Sequence, residues 1–249
     1  MKEVLAYIEE KKQEFAKLPF FEYMRDTSVD PRQRLAWAPC LTPFVMNFKD
    51  LNKLALRKEP TTNKIQKMIN HHTYEDGNHW KWFLQDLKLL GFDESQNFTD
   101  TLIFLWGEET ENVRLMAHNL FRMCSFEEDL LMKLIVIESI EVTANVGLYE
   151  TGLVAEELRK ITNQHYPYFS ESHHRLEAGH IHFDSDNIEN FFDEIHLTEE
   201  ETRKAFVLVE RVFTDFENAT NAMLSFAKKY DIDNKSSQTN IVEKAVSKV

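Results

Sequence analysis

Residues 130–149 read LLMKLIVIESIEVTANVGLY. The run is apolar except for Lys133, Glu138, Glu141 and a few small polar groups, and it contains no proline. A helix this apolar is buried along most of its length, so other helices must surround it. Proline placement extends that reading in both directions. Five of the six prolines fall between Pro19 and Pro60, none lies between Thr61 and Tyr166, and none follows Pro167. Long proline-free spans with apolar residues at helical spacing predict long helices, and no segment sustains strand-type alternation.

The spacing predicts helices over about 2–17, 62–90, 108–124, 127–160 and 199–230. Leu41–Arg57 is apolar and aromatic and reads as a buried helix. Pro31 suits a first helical turn, and Pro167 is expected to open a helix running to about 183. Gly91 is placed to end the 62–90 helix as its C′ residue. Thr198 with Glu201 makes a capping box for the last one. The chain therefore reads as all-α, one domain over 1–230 with about seven or more helices. The segment 231–249, DIDNKSSQTNIVEKAVSKV, is polar and reads as a frayed or disordered tail.

The 249 residues carry a formal charge of −13, so a nucleic-acid partner is not expected. No apolar run reaches the roughly 18–20 residues that cross a bilayer, and the charged N-terminal segment has no signal-type core. Two cysteines, Cys40 and Cys124, make neither a disulfide framework nor a zinc knuckle. This composition suits a reducing, cytoplasmic setting.

Seven of the ten histidines sit in two short segments, HHTYEDGNHW (71–80) and SHHRLEAGHIHFD (172–184). In the second, His173, Glu177 and His180 stand at i, i+4 and i+7 and share one helix face. In the first, Glu75 and Asp76 precede His79 by four and three residues, and Trp80, Trp82 and Phe83 follow it. A single such histidine would read as part of a polar helix face. Several imidazoles and carboxylates in register suit iron, zinc or manganese. In the 130–149 run Glu141 is the better-placed ligand, because Thr143, Ala144 and Gly147 follow it and leave room; Glu138 is the second candidate. Six candidate ligands on three helices exceed the needs of one zinc with an open position and suit two bridged metals. Gly77 and Gly179, each within two residues of a candidate histidine, suggest close helix approach or a π-type bulge there.

These residues resemble a known family. YFSESHHRLEAGH, read as Tyr-Phe followed by His-x3-Glu-x2-His, is similar to the C-terminal ligand signature of the heme-oxygenase-like di-iron oxidases, with Glu177 where that family more often has Asp. HHTYEDGNHWKWFLQDLKLLG resembles the family's early ligand helix, and VIESIEVTANVGLYETG its middle helix with the bridging glutamate. The resemblance spans roughly residues 20–225, with specificity in the three motifs. It implies a heme-oxygenase-like helical bundle holding two irons, the second labile, with O2 as co-substrate and a small organic molecule as substrate. Manganese stays open beside iron. The implied ligands are Glu75 or Asp76, His79, Glu141, His173, Glu177 and His180. An apolar wall from Phe44, Phe48, Leu134, Val142 and Leu148 would shape the pocket. Aromatic-rich N-terminal helices fit a homodimer.

Three rivals share the helices. A ferritin-type bundle uses Glu-x-x-His pairs, which Asp76–His79 and Glu177–His180 imitate, but it leaves His173 without a role. A metal-free, thiaminase-like binding or hydrolytic protein would rest on a nucleophilic cysteine, Cys40 or Cys124. A helical interaction protein would use the 19 phenylalanines only as core.

Overall fold

The structure is a computed structural model that describes residues 1–93, 97–180, 195–230 and 232, with positions 177–180 described as backbone. Among these residues every regular element is helical. In chain order the α-helices are α1 (Lys2–Phe15), α2 (Pro19–Arg25), α3 (Pro31–Arg34), α4 (Thr42–Asp50), α5 (Lys64–Glu75), α6 (His79–Leu89), α7 (Phe98–Trp106), α8 (Glu111–Phe126), α9 (Leu130–Thr162), α10 (Glu171–His180) and α11 (Glu199–Lys229). No helix among them is long and apolar enough to cross a membrane.

α9 is the axis of the bundle. At 33 residues it runs about 50 Å at 1.5 Å per residue. The Asp129 carboxylate caps its start by accepting the Leu131 N–H at 2.8 Å. Asn163 ends it in the left-handed region at φ 56°, which Asn tolerates better than most residues. α1, α2, α3, α8, α10 and α11 all pack against α9, which explains why its apolar positions extend most of the way round the helix and leave only a half-exposed stripe through Glu138, Asn145, Tyr149 and Leu153. α11 begins with the expected capping box, in which Thr198 and Glu201 bond each other's backbone N–H. It then lays a regular apolar face on α1, α8 and α9.

Three expectations need correction. The span 62–90 is two helices, because Asp76–Asn78 form a single 3-10 turn between α5 and α6. The span 41–57 is α4 followed by a π-helical turn over Leu51–Leu56, closed by the Arg57 N–H on the Asn52 carbonyl at 3.1 Å. Pro167 lies in a connecting loop rather than in a helix, and α10 starts at Glu171. α7, a short apolar helix, was not expected at all. Gly91 does take the positive-φ geometry (φ 88°) just after α6. The remaining positions of the tail 231–249 and the expected helix end near 183 lie outside the described residues; Ile232 donates its N–H to Gln33 Oε1 at 3.1 Å.

The core is continuous from the aromatic corner of α1, α2 and Trp37 to α8 and α11. Gly152 decides how α10 meets α9. A Cβ there would meet the Glu171 backbone nitrogen at 3.3 Å, so the first turn of α10 rests directly on α9. Gly77 behaves differently from the expectation. A Cβ would meet open space, so no close helix approach depends on it.

Candidate active site

α4, the turn before α6, α9, α10 and α11 surround a cavity of about 120 Å³. Its wall is mostly hydrocarbon: Phe20, Phe44, Phe48, Ile140, Phe169 and Phe216 are typical. Into it come four side chains that the sequence singles out: Asp76, His79, Glu141 and His173. All four are buried, at 4%, 7%, 3% and 4% exposure. They arrive from three separate places in the chain, which no local pattern can guarantee.

The break between α5 and α6 sorts the first motif. Asp76 turns to the cavity, while Glu75 lies off it and pairs with His71 Nδ1 at 3.0 Å. His79 opens α6, and its Nδ1 lies 3.9 Å from Asp76 Oδ1. Trp82, one turn along, stacks on the His79 ring at 4.9 Å and 20°. His72 is buried but off the cavity wall.

On α9 the structure puts Glu141 on the cavity and leaves Glu138 off it. Glu138 is half-buried, and loss of solvent pushes its carboxyl up to about 7. Thr143, Ala144 and Gly147 line the space beside Glu141, as the small-residue pattern suggested. Of the expected apolar wall, Phe44, Phe48 and Leu148 line the cavity; Leu134 and Val142 pack elsewhere in the core. Lys133 is buried, and Arg175 is paired with Glu171 at 2.7 Å.

On α10 the His173 ring is fixed from both sides. A carbonyl only accepts, so His173 Nδ1 donates to the Tyr168 carbonyl, at 2.6 Å. In the neutral ring this leaves Nε2 as the basic atom, and it accepts from His79 Nδ1 at 3.2 Å. The two rings meet edge to face, with centroids 4.4 Å apart. Glu177 and His180 occupy α10 positions one and two turns on, but their side chains lie outside the described residues, as does Gly179. Among the described residues no group of three or more His, Cys, Asp or Glu is already arranged to hold a metal ion.

Asp86 carries structural information that the sequence reading passed over. It lies on α6, seven residues after His79, inside a stretch read only as amphipathic. Its Oδ2 accepts the backbone N–H groups of Tyr168 and Phe169, both at 2.9 Å. The side chain is fully buried, and desolvation outweighs these two bonds and pushes its carboxyl up to about 7. An acid seven residues after a candidate ligand, on an otherwise apolar face, was the available signal.

Both cysteines are buried, and neither lines the cavity. Burial pushes the Cys124 thiol up to about 12 and the Cys40 thiol well above its ordinary value.

Neither a protein-family model nor a curated protein matches the sequence. Among solved structures, a TenA homolog from Pseudomonas syringae pv. tomato str. DC3000 matches with a TM-score of 0.59 and 13% identity, over 90% of this chain and 92% of that one. The fold is TenA-like. It is thereby also the heme-oxygenase-like helical fold that the sequence resemblance implied, and at this identity the likeness is one of fold alone. In this TenA-like bundle the cavity is enclosed by helices on its flanks, where helical folds commonly bind small molecules.

Proposed function

We propose that the chain is an iron-dependent oxidase of a small organic molecule, with the metal held in the cavity at Asp76, His79, Glu141 and His173. The observation that carries this reading is the convergence of those four side chains on one apolar space. Two carboxyl groups in so dry a place are costly to bury as anions, and a bound divalent cation would offset that cost. The donor types suit iron and also manganese, and to enclose an ion the four side chains would have to draw closer together. His173 shows the arrangement typical of a ligand histidine, with one ring nitrogen tied to a carbonyl so that the other is aimed. Glu177 and His180 would complete a two-metal set from the same helix. Bound iron would supply the electron-transfer chemistry that lets O2 react with an organic molecule.

The chain's own residues do the remaining work. Phe20, Phe44, Phe48 and Phe216 keep water from the reacting groups. The Thr143, Thr151 and Thr220 hydroxyls each donate to a carbonyl of their own helix, so the wall behaves as apolar towards a ligand. Trp82 holds the His79 plane.

The fold likeness supports a second reading, a metal-free thiaminase-like binding or hydrolytic protein. In that case the cavity would hold an apolar ligand, and a nucleophile other than the two buried cysteines would be needed for hydrolysis. Anaerobic loading with Fe(II), followed by metal analysis and O2 uptake, separates the two. The oxidase reading expects about two irons per chain, set by the six-ligand count, and O2 uptake that His79→Ala abolishes. A chain that retains no iron and consumes no O2 turns the assignment to the second reading.

A further inference from the structure

The loop before α10 delivers His173 to the cavity, and one acidic side chain holds that loop. Asp86 clamps two consecutive amides, those of Tyr168 and Phe169, with a single oxygen. The Tyr168 carbonyl in turn takes the His173 Nδ1 proton at 2.6 Å. Phe83, one turn before Asp86, meets the rings of Tyr168 and Phe169 at 5.1 and 6.3 Å and packs the same loop. His79, Trp82, Phe83 and Asp86 stand at i, i+3, i+4 and i+7, so one stripe of α6 carries a candidate ligand, its stacking partner and both grips on the loop.

This placement is expensive for the fold. Asp86 has no solvent exposure, and its Oδ1 has no hydrogen-bond partner among the described residues. Water or an ordinary turn could satisfy two loop amides at lower cost. What the buried acid adds is a fixed carbonyl direction at Tyr168.

We propose that Asp86 is a positioning residue for His173: by locking the Tyr168–Phe169 amides it aims the Tyr168 carbonyl, which sets the ring plane and the Nδ1–H tautomer of His173 and leaves Nε2 as the acceptor that meets His79 at the cavity wall. The role rests on His173 being a ligand, as proposed above. It is tested first without metal, because the tautomer is a property of the apo-protein. Side-chain 15N spectra of the histidines should show His173 as a single Nδ1–H form in the wild type. Asp86→Ala should mix the two tautomers and weaken Fe(II) binding about 10- to 100-fold, the usual cost of losing a partner behind a ligand. Asp86→Asn keeps an oxygen for both amides and places its NH2 where Oδ1 stands, so it should retain both the tautomer and Fe(II) affinity.

An Asp86→Ala protein with an unchanged His173 tautomer and unchanged Fe(II) affinity overturns the proposal. So does an Asp86→Asn protein that scrambles the tautomer, and this second test stands even if the alanine variant fails to fold. If Asp86→Ala disturbs the tautomer while no form of the protein binds Fe(II), the positioning role survives and the iron reading fails.

Discussion

Among the described residues, two of the regions that bury charged side chains differ in what those side chains enclose. Arg34, at the end of α3, is 1% exposed. Its guanidinium is answered wholly by protein: Nε donates to the Val29 carbonyl at 3.1 Å, Nη1 to the Met24 carbonyl at 2.8 Å, and Nη1 and Nη2 to the Glu157 carboxylate on α9. The cavity group of Asp76, His79, Glu141 and His173 instead surrounds open space. The first arrangement is complete without anything else and pins α3 to the axial helix. The second places ligand-type atoms around room for another species. Burial alone does not mark a site; burial around a space does.

Breaking the Arg34 cluster should give the largest effect on the fold. Arg34→Ala leaves two carbonyls and the partly exposed Glu157 without their donor and should cost about 2–4 kcal/mol, read from urea unfolding. The cavity should keep its Fe(II) affinity in whatever fraction folds, since the two regions share no residue.

Glu141→Gln should show the reverse pattern. The exchange keeps the side chain's shape, so the apo-protein's melting temperature should change little, while Fe(II) affinity falls by about 100-fold or more, beyond the usual loss for partners behind a ligand. Fluorescence-monitored melting with and without Fe(II) reads both. A Glu141→Gln protein that is much less stable without metal would move Glu141 into the class of Arg34.

Asp86 sharpens the comparison through pH. Its folded carboxyl sits at about 7 against an ordinary 3.8, so the folded state holds a proton that the unfolded chain has lost between those values. Its contribution to stability is therefore fully present below about pH 4 and is lost as the pH rises to 7. The stability difference between wild type and Asp86→Asn should move against the wild type across that window and level off above it. Parallel curves would place the carboxyl at its ordinary value.

Thr198→Ala gives the smallest effect and serves as the control. It removes one half of an exposed capping box and should cost about 1 kcal/mol, without altering Fe(II) affinity or the pH slope.

Particular elements show how far the sequence could be read. The proline-free spans gave α8, α9 and α11 within a few residues, because long helices follow from local spacing and the absence of breakers. The capping box at Thr198 and the positive φ at Gly91 were legible for the same local reason. The break at Asp76–Asn78 was not, although Asp-Gly-Asn is a turn-type triplet, because the apolar spacing on either side of it reads as one continuous helix. That break has consequences: it separates Glu75 from the cavity and turns Asp76 towards it. α7 was missed because a short apolar segment of nine residues carries too little periodicity.

By itself, then, the sequence determined the helical class, the burial of α9 and the short segments rich in ligand-type side chains. Each of these depends on interactions within a few turns of one helix. Tertiary structure decided which candidates share a space, that Glu141 rather than Glu138 faces it, and that Asp86 grips a loop 82 residues away. Those outcomes depend on how helices rotate against one another, and rotation is set by packing of the whole core rather than by any local spacing.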